Sequence, residues 1–370
     1  LLSVRGKYTE SLEVLRRSLA ISTATRGEAH PRTIRAMSNL AVSLAQCGLY
    51  AEGLRLDRHA AALATDSLGL EHPMTSFALA GLARRLRGRG SLGEAETIFR
   101  RALEIEAEVQ GAKSAEPGVL ERELAICLIA QDRLAEAREW LDRAIARAVE
   151  TYGPEHFQVA RHQRYLGTLL LERGETAEGR ELLAHTLSVL EQQYGAEHAA
   201  LIPSLDGLIR ADLALGNVDA AGRHAEQALG IAESVAAQHL GLSGDRDLVR
   251  VLNICAVVAA AREEWSRGLA QARRACAMAL QILDQVFPAS SESEALVYGS
   301  LPRQALAVLL AVAEEAPTLS ESTQAELFGL AVRTHGRILD RLAERRRILA
   351  ATEAAADVCL LYTSPSPRDS

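Results

Sequence analysis

One signature returns through this chain at a fixed interval. A turn residue followed by a small or aromatic residue and an acidic-small pair stands at Gly48-Leu-Tyr-Ala-Glu-Gly53, Gly90-Ser-Leu-Gly-Glu-Ala95, Gly174-Glu-Thr-Ala-Glu-Gly179 and Gly216-Asn-Val-Asp-Ala-Ala221. Gly6-Lys-Tyr8 and Asp132-Arg-Leu-Ala-Glu-Ala137 complete the series. The anchors fall at 6, 48, 90, 132, 174 and 216, a period of 42 residues without a slip. A unit of that length cannot bury its apolar side alone, so successive units must stack.

A second anchor keeps the same period at Gly27-Glu-Ala-His30-Pro31, Gly69-Leu-Glu-His72-Pro73, Gly153-Pro-Glu-His156 and Gly195-Ala-Glu-His198, with a degenerate copy at Gly111. Roughly twenty residues of amphipathic pattern separate the two anchors, which predicts a helix-turn-helix in each unit. The glycines of the first anchor sit where a helix must stop, and glycine accepts a left-handed C-cap without steric cost. Five positions later come Gly53, Ala95, Ala137, Gly179 and Ala221, small enough for two helices to approach closely. The pairs Leu40-Ala41, Leu82-Ala83, Leu124-Ala125 and Leu166-Gly167 supply the facing knob and notch. Proline after the loop histidine presets the first turn of a helix.

Composition agrees with an all-α chain. Apolar residues reach 48% but aromatics only 4%, and the dominant Ala, Leu, Glu and Arg all favour helices. A net charge of −7 argues against general nucleic-acid binding, which needs a basic surface. No long uncharged apolar run offers a membrane span. The five cysteines, Cys47, Cys127, Cys255, Cys276 and Cys359, form no CxxC pair and fit thiols of a reducing cytoplasm.

These residues resemble the tetratricopeptide repeat, and the 42-residue period with its Gly-x-Glu-His-Pro loop is similar to the longer variety of kinesin light chains and many bacterial proteins. The resemblance covers residues 1–236 and implies a right-handed superhelical solenoid of antiparallel helix pairs, with the first repeat lacking its first helix. It departs from the pattern at Gly111-Ala-Lys-Ser-Ala-Glu-Pro117, where the His-Pro loop is lost.

After Ala236 the period fails. Gly241-Leu-Ser-Gly-Asp-Arg246 reads as a turn-rich insertion, and residues 237–286 as a variant or capping pair with helices from Asp247 to Ala261 and Trp265 to Val286. Two further helices are expected over Ser291 to Glu315 and Ser320 to Ala356, within a connector spanning 287–358. The segments Ser291-Glu-Ser-Glu-Ala-Leu-Val-Tyr298 and His335-Gly-Arg-Ile-Leu-Asp-Arg-Leu-Ala-Glu-Arg-Arg-Arg347 resemble the helical connector that precedes the caspase-like CHAT domain of bacterial proteins. That resemblance implies that the repeats are the sensing or docking arm of a cysteine peptidase whose catalytic domain lies after Val358. The alternatives are the repeat arm of a kinase or nucleotide-binding switch protein, and a freestanding adaptor. Residues 359–370 resemble one reading frame of a transposase adaptor used in sequencing libraries, so they are expected to be a non-native tail.

No catalytic constellation, metal site or cofactor motif is expected. His30, His72, His156 and His198 occupy one loop position in separate units, about 10 Å apart by helix packing, whereas metal ligands converge within a few ångströms; capping is the simpler role. Cys127 and Cys276 fall on apolar faces, where cysteine is usually a small hydrophobe.

Binding is the expected activity. The first helix of each pair lines the concave side in a solenoid of this type. Counting back thirteen, ten, nine and six residues from each anchor gives Arg35, Ser38, Asn39 and Val42, then Phe77, Ala80, Gly81 and Arg84. Next come Val119, Arg122, Glu123 and Ile126; Arg161, Arg164, Tyr165 and Thr168; and Pro203, Asp206, Gly207 and Arg210. Arg35, Asn39, Phe77, Arg84, Arg122, Arg161, Arg164, Tyr165 and Arg210 are therefore the candidate contacts to a protein or peptide partner. Six arginines against two acids suit an acidic partner; the plain alternative is that they are solvated or paired within the array. The oligomeric state stays open.

Overall fold

The computed structural model describes residues 7–46, 49–108, 117–237, 242–286, 292–317 and 319–334. Its helices are α1 (Lys7–Arg26), α2 (Pro31–Gln46), α3 (Tyr50–Leu63), α4 (Pro73–Gly88), α5 (Leu92–Glu108), α6 (Val119–Ile129), α7 (Leu134–Tyr152) and α8 (Phe157–Glu172). There follow α9 (Thr176–Tyr194), α10 (Ile202–Ala214), α11 (Val218–Ala237), α12 (Leu242–Ala261), α13 (Trp265–Val286), α14 (Glu292–Glu315) and α15 (321–334). A π turn over Ala64–Leu68 extends α3, and a 3-10 turn over Ala199–Leu201 leads into α10. Among the described residues there is no strand, and the fold is an all-α solenoid.

Both anchors do the work their residue types suggest. Gly90, Gly174 and Gly216 end the first helix of a pair with positive φ, and the amide one residue on closes the cap: Ser91 N donates to Leu86 O, Glu175 N to Leu170 O and Asn217 N to Asp212 O. Asp132 takes the same conformation at φ 61, with Arg133 N on Leu128 O. Gly48 and Gly6 lie outside the described residues. In the other loop, Gly69, Gly153 and Gly195 combine φ of 83 to 87 with ψ near the extended limit, a region that side-chain-bearing residues avoid. The histidines then cap the next helix. The Nδ1 atoms of His30, His72, His156 and His198 accept from the amides of Arg32, Met74, Gln158 and Ala200 at 3.0–3.2 Å, so each ring carries its proton on Nε2 or is otherwise open at Nδ1.

The notch positions bring the paired helices into contact. A Cβ on Gly53 would lie 2.9 Å from Ala41 O, and one on Gly179 the same distance from Gly167 O, while Ala95, Ala137 and Ala221 are fully buried. Stacking then joins the pairs into shared cores: Phe99, Leu124, Leu128 and Leu141 belong to one, Leu183, Leu205, Leu252 and Leu283 to the next.

The third-to-fourth junction departs as its sequence does. The degenerate Gly111 copy lies outside the described residues, and α6 starts only at Val119, after Gly118 at φ +81 packed hard on the backbone of Ala144. No histidine caps α6. Instead His162 of α8, fully enclosed, donates from Nε2 to Pro117 O at 3.2 Å. Burial, with Arg122 adding to it, lowers His162 to about 4 and keeps it neutral.

Beyond Ala236 the reading needs one correction. Leu242–Arg246 are helical, part of α12, which begins five residues before the expected Asp247 and carries Leu248, Val249 and Leu252 into the core. The α12–α13 turn repeats the first-anchor geometry, with Glu263 at φ 62 and Glu264 N on Ala259 O. The stack thus continues with a seventh anchor at 263, five residues late. Helix α14 packs on α12 and α13, and Leu306, Leu309, Val312 and Leu327 join the core that holds Leu252 and Leu283. Residues 335–370, including the arginine-rich segment and the expected tail, lie outside the described residues.

Candidate binding groove

Successive first helices pack on one another, α2 on α4, α4 on α6, α6 on α8, α8 on α10 and α10 on α12, which places them on the inner side of the curve. The counted positions divide on that side. Arg35, Asn39, Val42, Phe77 and Arg210 are exposed, and Arg84, Arg161, Arg164, Tyr165 and Asp206 are half-buried. Arg122 departs from the outward placement: it is 6% exposed, like Ser38 and Ala80 at its equivalent positions. The reason is that first helices lie close enough to enclose this position between them.

The arginines are held in two ways. Arg35 Cζ lies 5.5 Å from the centre of the Phe77 ring, and Arg164 Cζ 4.2 Å from that of Tyr165, with Arg122 on the same ring at 5.7 Å. Such stacking orients a guanidinium while leaving its charge uncompensated. Glu123, by contrast, gathers Arg122 at 3.3 Å, Arg87 at 3.0 Å and Arg84 at 3.8 Å. Arg210 reaches back to Glu172 at 2.5 Å, and Arg161 Nη1 donates to Gln158 Oε1 at 3.0 Å. Pairing within the array therefore accounts for Arg84, Arg122 and Arg210. Arg35, Arg161 and Arg164 form no ion pair among the described residues.

The delayed anchor at 263 extends the same count to Arg250, Asn253, Ile254 and Val257, which the sequence reading missed because a glutamate rather than a glycine takes the left-handed position. Arg250 matters to the groove. Asp206 is raised by burial, opposed by Arg250, then Arg210 and Arg164, three cations from three successive first helices around one carboxylate.

Other chemistry is not assembled. Among the described residues no group of three or more His, Cys, Asp or Glu is placed to hold a metal ion. Burial raises the Cys127 thiol and pushes Cys255 and Cys276 up to about 12, so these behave as packing groups; Cys47 and Cys359 lie outside the described residues. An open cleft of about 650 Å³ runs between α5 and α7, where Arg100 and Arg143 flank Trp140 and Glu121 of α6 joins the lining; none of the counted positions lines it. No helix among the described residues is long and apolar enough to cross a membrane.

Paired helices stacked through small residues, with an inner face of stacked and paired arginines, define a helical-repeat scaffold. The tetratricopeptide-repeat family models match residues 1–32, 35–107 and 118–178, and these stretches are tetratricopeptide repeats. Similar solved structures include nearly identical TPR-like repeats of a kinesin-light-chain-type protein from Podosopora anserina, at 26% identity over 56% of this chain and 98% of that one, TM-score 0.46. BtubC (BKLC) from P. vanneervenii is 18% identical over 64% of this chain and 91% of that one, TM-score 0.49. A chain of the APC/C Cut9–Hcn1 hetero-tetramer is 14% identical over 81% of this chain and 47% of that one, TM-score 0.52, a likeness of fold. No curated protein matches the chain.

Proposed function

We propose that the chain is a protein-interaction scaffold that takes an acidic protein or peptide segment on its inner face. The observation that carries this reading is the presentation of Arg35 and Arg164 on Phe77 and Tyr165, fixed in direction and without an ion pair among the described residues, Arg164 sharing only the longer-range field of Asp206 with Arg210 and Arg250. Arginine held this way offers a planar fork of donors to a carboxylate without the entropic cost of ordering a free side chain. The match to tetratricopeptide models supports the class of partner. Arg164 and Arg161 sit at the centre of the candidate surface, with Asn39, Arg84 and Arg210 toward its ends. Buried reduced thiols at Cys127, Cys255 and Cys276 suit a cytoplasmic setting. The sequence resemblance over 287–358 supports reading the array as the docking arm of a bacterial CHAT-domain peptidase, the alternatives being the arm of a kinase or nucleotide-binding switch protein or a freestanding adaptor; α14 packed on the stack would transmit a rigid orientation to such a neighbour.

Arg161→Glu with Arg164→Glu is expected to weaken capture of an immobilised acidic peptide by about tenfold or more, since each change replaces an attraction by a repulsion. Undiminished capture would assign these arginines to the internal pairing of the array.

A further inference from the structure

Two helix pairs far apart along the array touch. Tyr50 opens α3, just past the turn between the two helices of its pair, whereas Arg246 lies near the start of α12, the first helix of a much later pair. Arg246 Nη1 donates to Tyr50 Oη at 3.3 Å across a separation of 196 residues. The Tyr50 ring also packs against the core cluster that runs from Ala160 to Leu327. A separation of 196 residues is fewer than five periods of 42, so the solenoid completes a full turn within five pairs. The two edges that meet are opposite edges of the ribbon of pairs, which shuts the slot between successive turns at this point.

We propose that this contact is a clasp that encloses the inner face, so that the array admits an extended chain segment and excludes a folded domain. The proposal rests on the groove reading above and names the form of its partner. At about 10 Å per stacked pair, the inner circumference is on the order of 50 Å measured at the helix axes. Helices themselves occupy about 10 Å in diameter, so the remaining lumen is a chain wide. Its wall remains wet and mixed in character: Arg35, Asn39 and Arg210 are exposed on it, and so are the apolar Val42, Phe77 and Val257. Those side chains fit a segment that alternates carboxylates with small apolar residues. Such a segment enters by a free end, or sideways when the clasp opens.

The test compares two probes on the full chain. One is a fluorescein-labelled nine-residue peptide of three Glu-Glu-Val units with free ends; the other is the same sequence linking two folded domains. The wild-type chain is expected to bind the free peptide and to associate with the blocked one about tenfold more slowly or worse. Tyr50→Ala with Arg246→Ala is expected to remove most of that difference. Equal association rates for the two probes on the wild-type chain would overturn the clasp. Should neither probe bind, the acidic-groove reading fails, and small-angle scattering then decides the clasp by itself: expansion in the double variant upholds it, and superposable curves refute it.

Discussion

The regular repeats and the third-to-fourth junction solve the same problem with different chemistry. In the regular units a histidine caps each first helix and a glycine turns the chain before it, and the outer surface is stitched at one interval. Arg16 pairs with Glu52 at 2.7 Å, Arg58 with Glu94 at 3.8 Å, and Arg100 with Glu136, each 36 residues apart on successive second helices. At the junction the loop motif is lost and α6 begins late; the outer stitching still crosses it, through Arg100–Glu136, Arg133–Glu96 at 2.7 Å and Arg147–Glu106 at 2.7 Å, while one tight glycine and one enclosed histidine from the next repeat replace the missing loop. The regular design spreads its stabilisation over many exchangeable contacts. The junction keeps such contacts on its outer side and adds two that are not exchangeable, Gly118 and His162.

That contrast can be broken most sharply at Gly118. Alanine there would carry a Cβ into the carbonyl of Ala144 in a left-handed backbone, and the expected loss is about 3 kcal/mol or more, read by chemical denaturation. A loss below about 1 kcal/mol would mean that the junction can relax as freely as an ordinary loop.

His162 sharpens the contrast through pH. Its folded value of about 4 lies below the ordinary 6.5, so between those values the unfolded chain binds the extra proton. Stability therefore falls as the pH is lowered through that window. The difference between wild type and His162→Gln, which can still donate to Pro117 O, should shrink the acid-induced loss by on the order of 3 kcal/mol. Parallel pH curves for the two proteins would exclude a neutral, enclosed histidine.

Regular units should yield smaller effects. His72→Ala removes one N-cap and is expected to cost about 1 kcal/mol. Arg58→Ala removes an exposed inter-repeat pair and should change stability by less than about 1 kcal/mol. If either exceeded the effect of Gly118→Ala, the division between exchangeable and non-exchangeable contacts would not hold.

Much of this was legible before the structure. The interval of 42 residues required stacked helix pairs, glycine at two punctuation points matched two left-handed turns, and the loop histidines were readable as caps. What escaped has physical causes. Glu263 takes the left-handed conformation without the glycine that marks it elsewhere, so the pair over 237–286 was legible but its anchor, and with it the register that places Arg250, was not. Arg122 shares its register position with outward candidates, yet the closeness of α4, α6 and α8 encloses it, which a count along one helix cannot reveal. Tyr152 and Tyr194, stacked on His156 and His198 at 4.6 and 4.8 Å, stand just before the loop signature, outside the residues that the repeat pattern singles out. The recurrent Arg16, Arg58 and Arg100 were visible at the period, but their partners lie one unit on.

The central claim is that the inner arginines without an ion pair among the described residues, Arg35, Arg161 and Arg164, serve recognition whereas the outer ones serve the array. Titrating the labelled Glu-Glu-Val peptide against wild type, Arg161→Glu/Arg164→Glu and the outer-face variant Arg16→Glu/Arg58→Glu tests it directly. The account predicts an affinity loss of about tenfold or more for the inner pair and little change for the outer pair, with all three proteins folded by circular dichroism. Equal losses from the two faces would reduce binding to general charge attraction and contradict the groove.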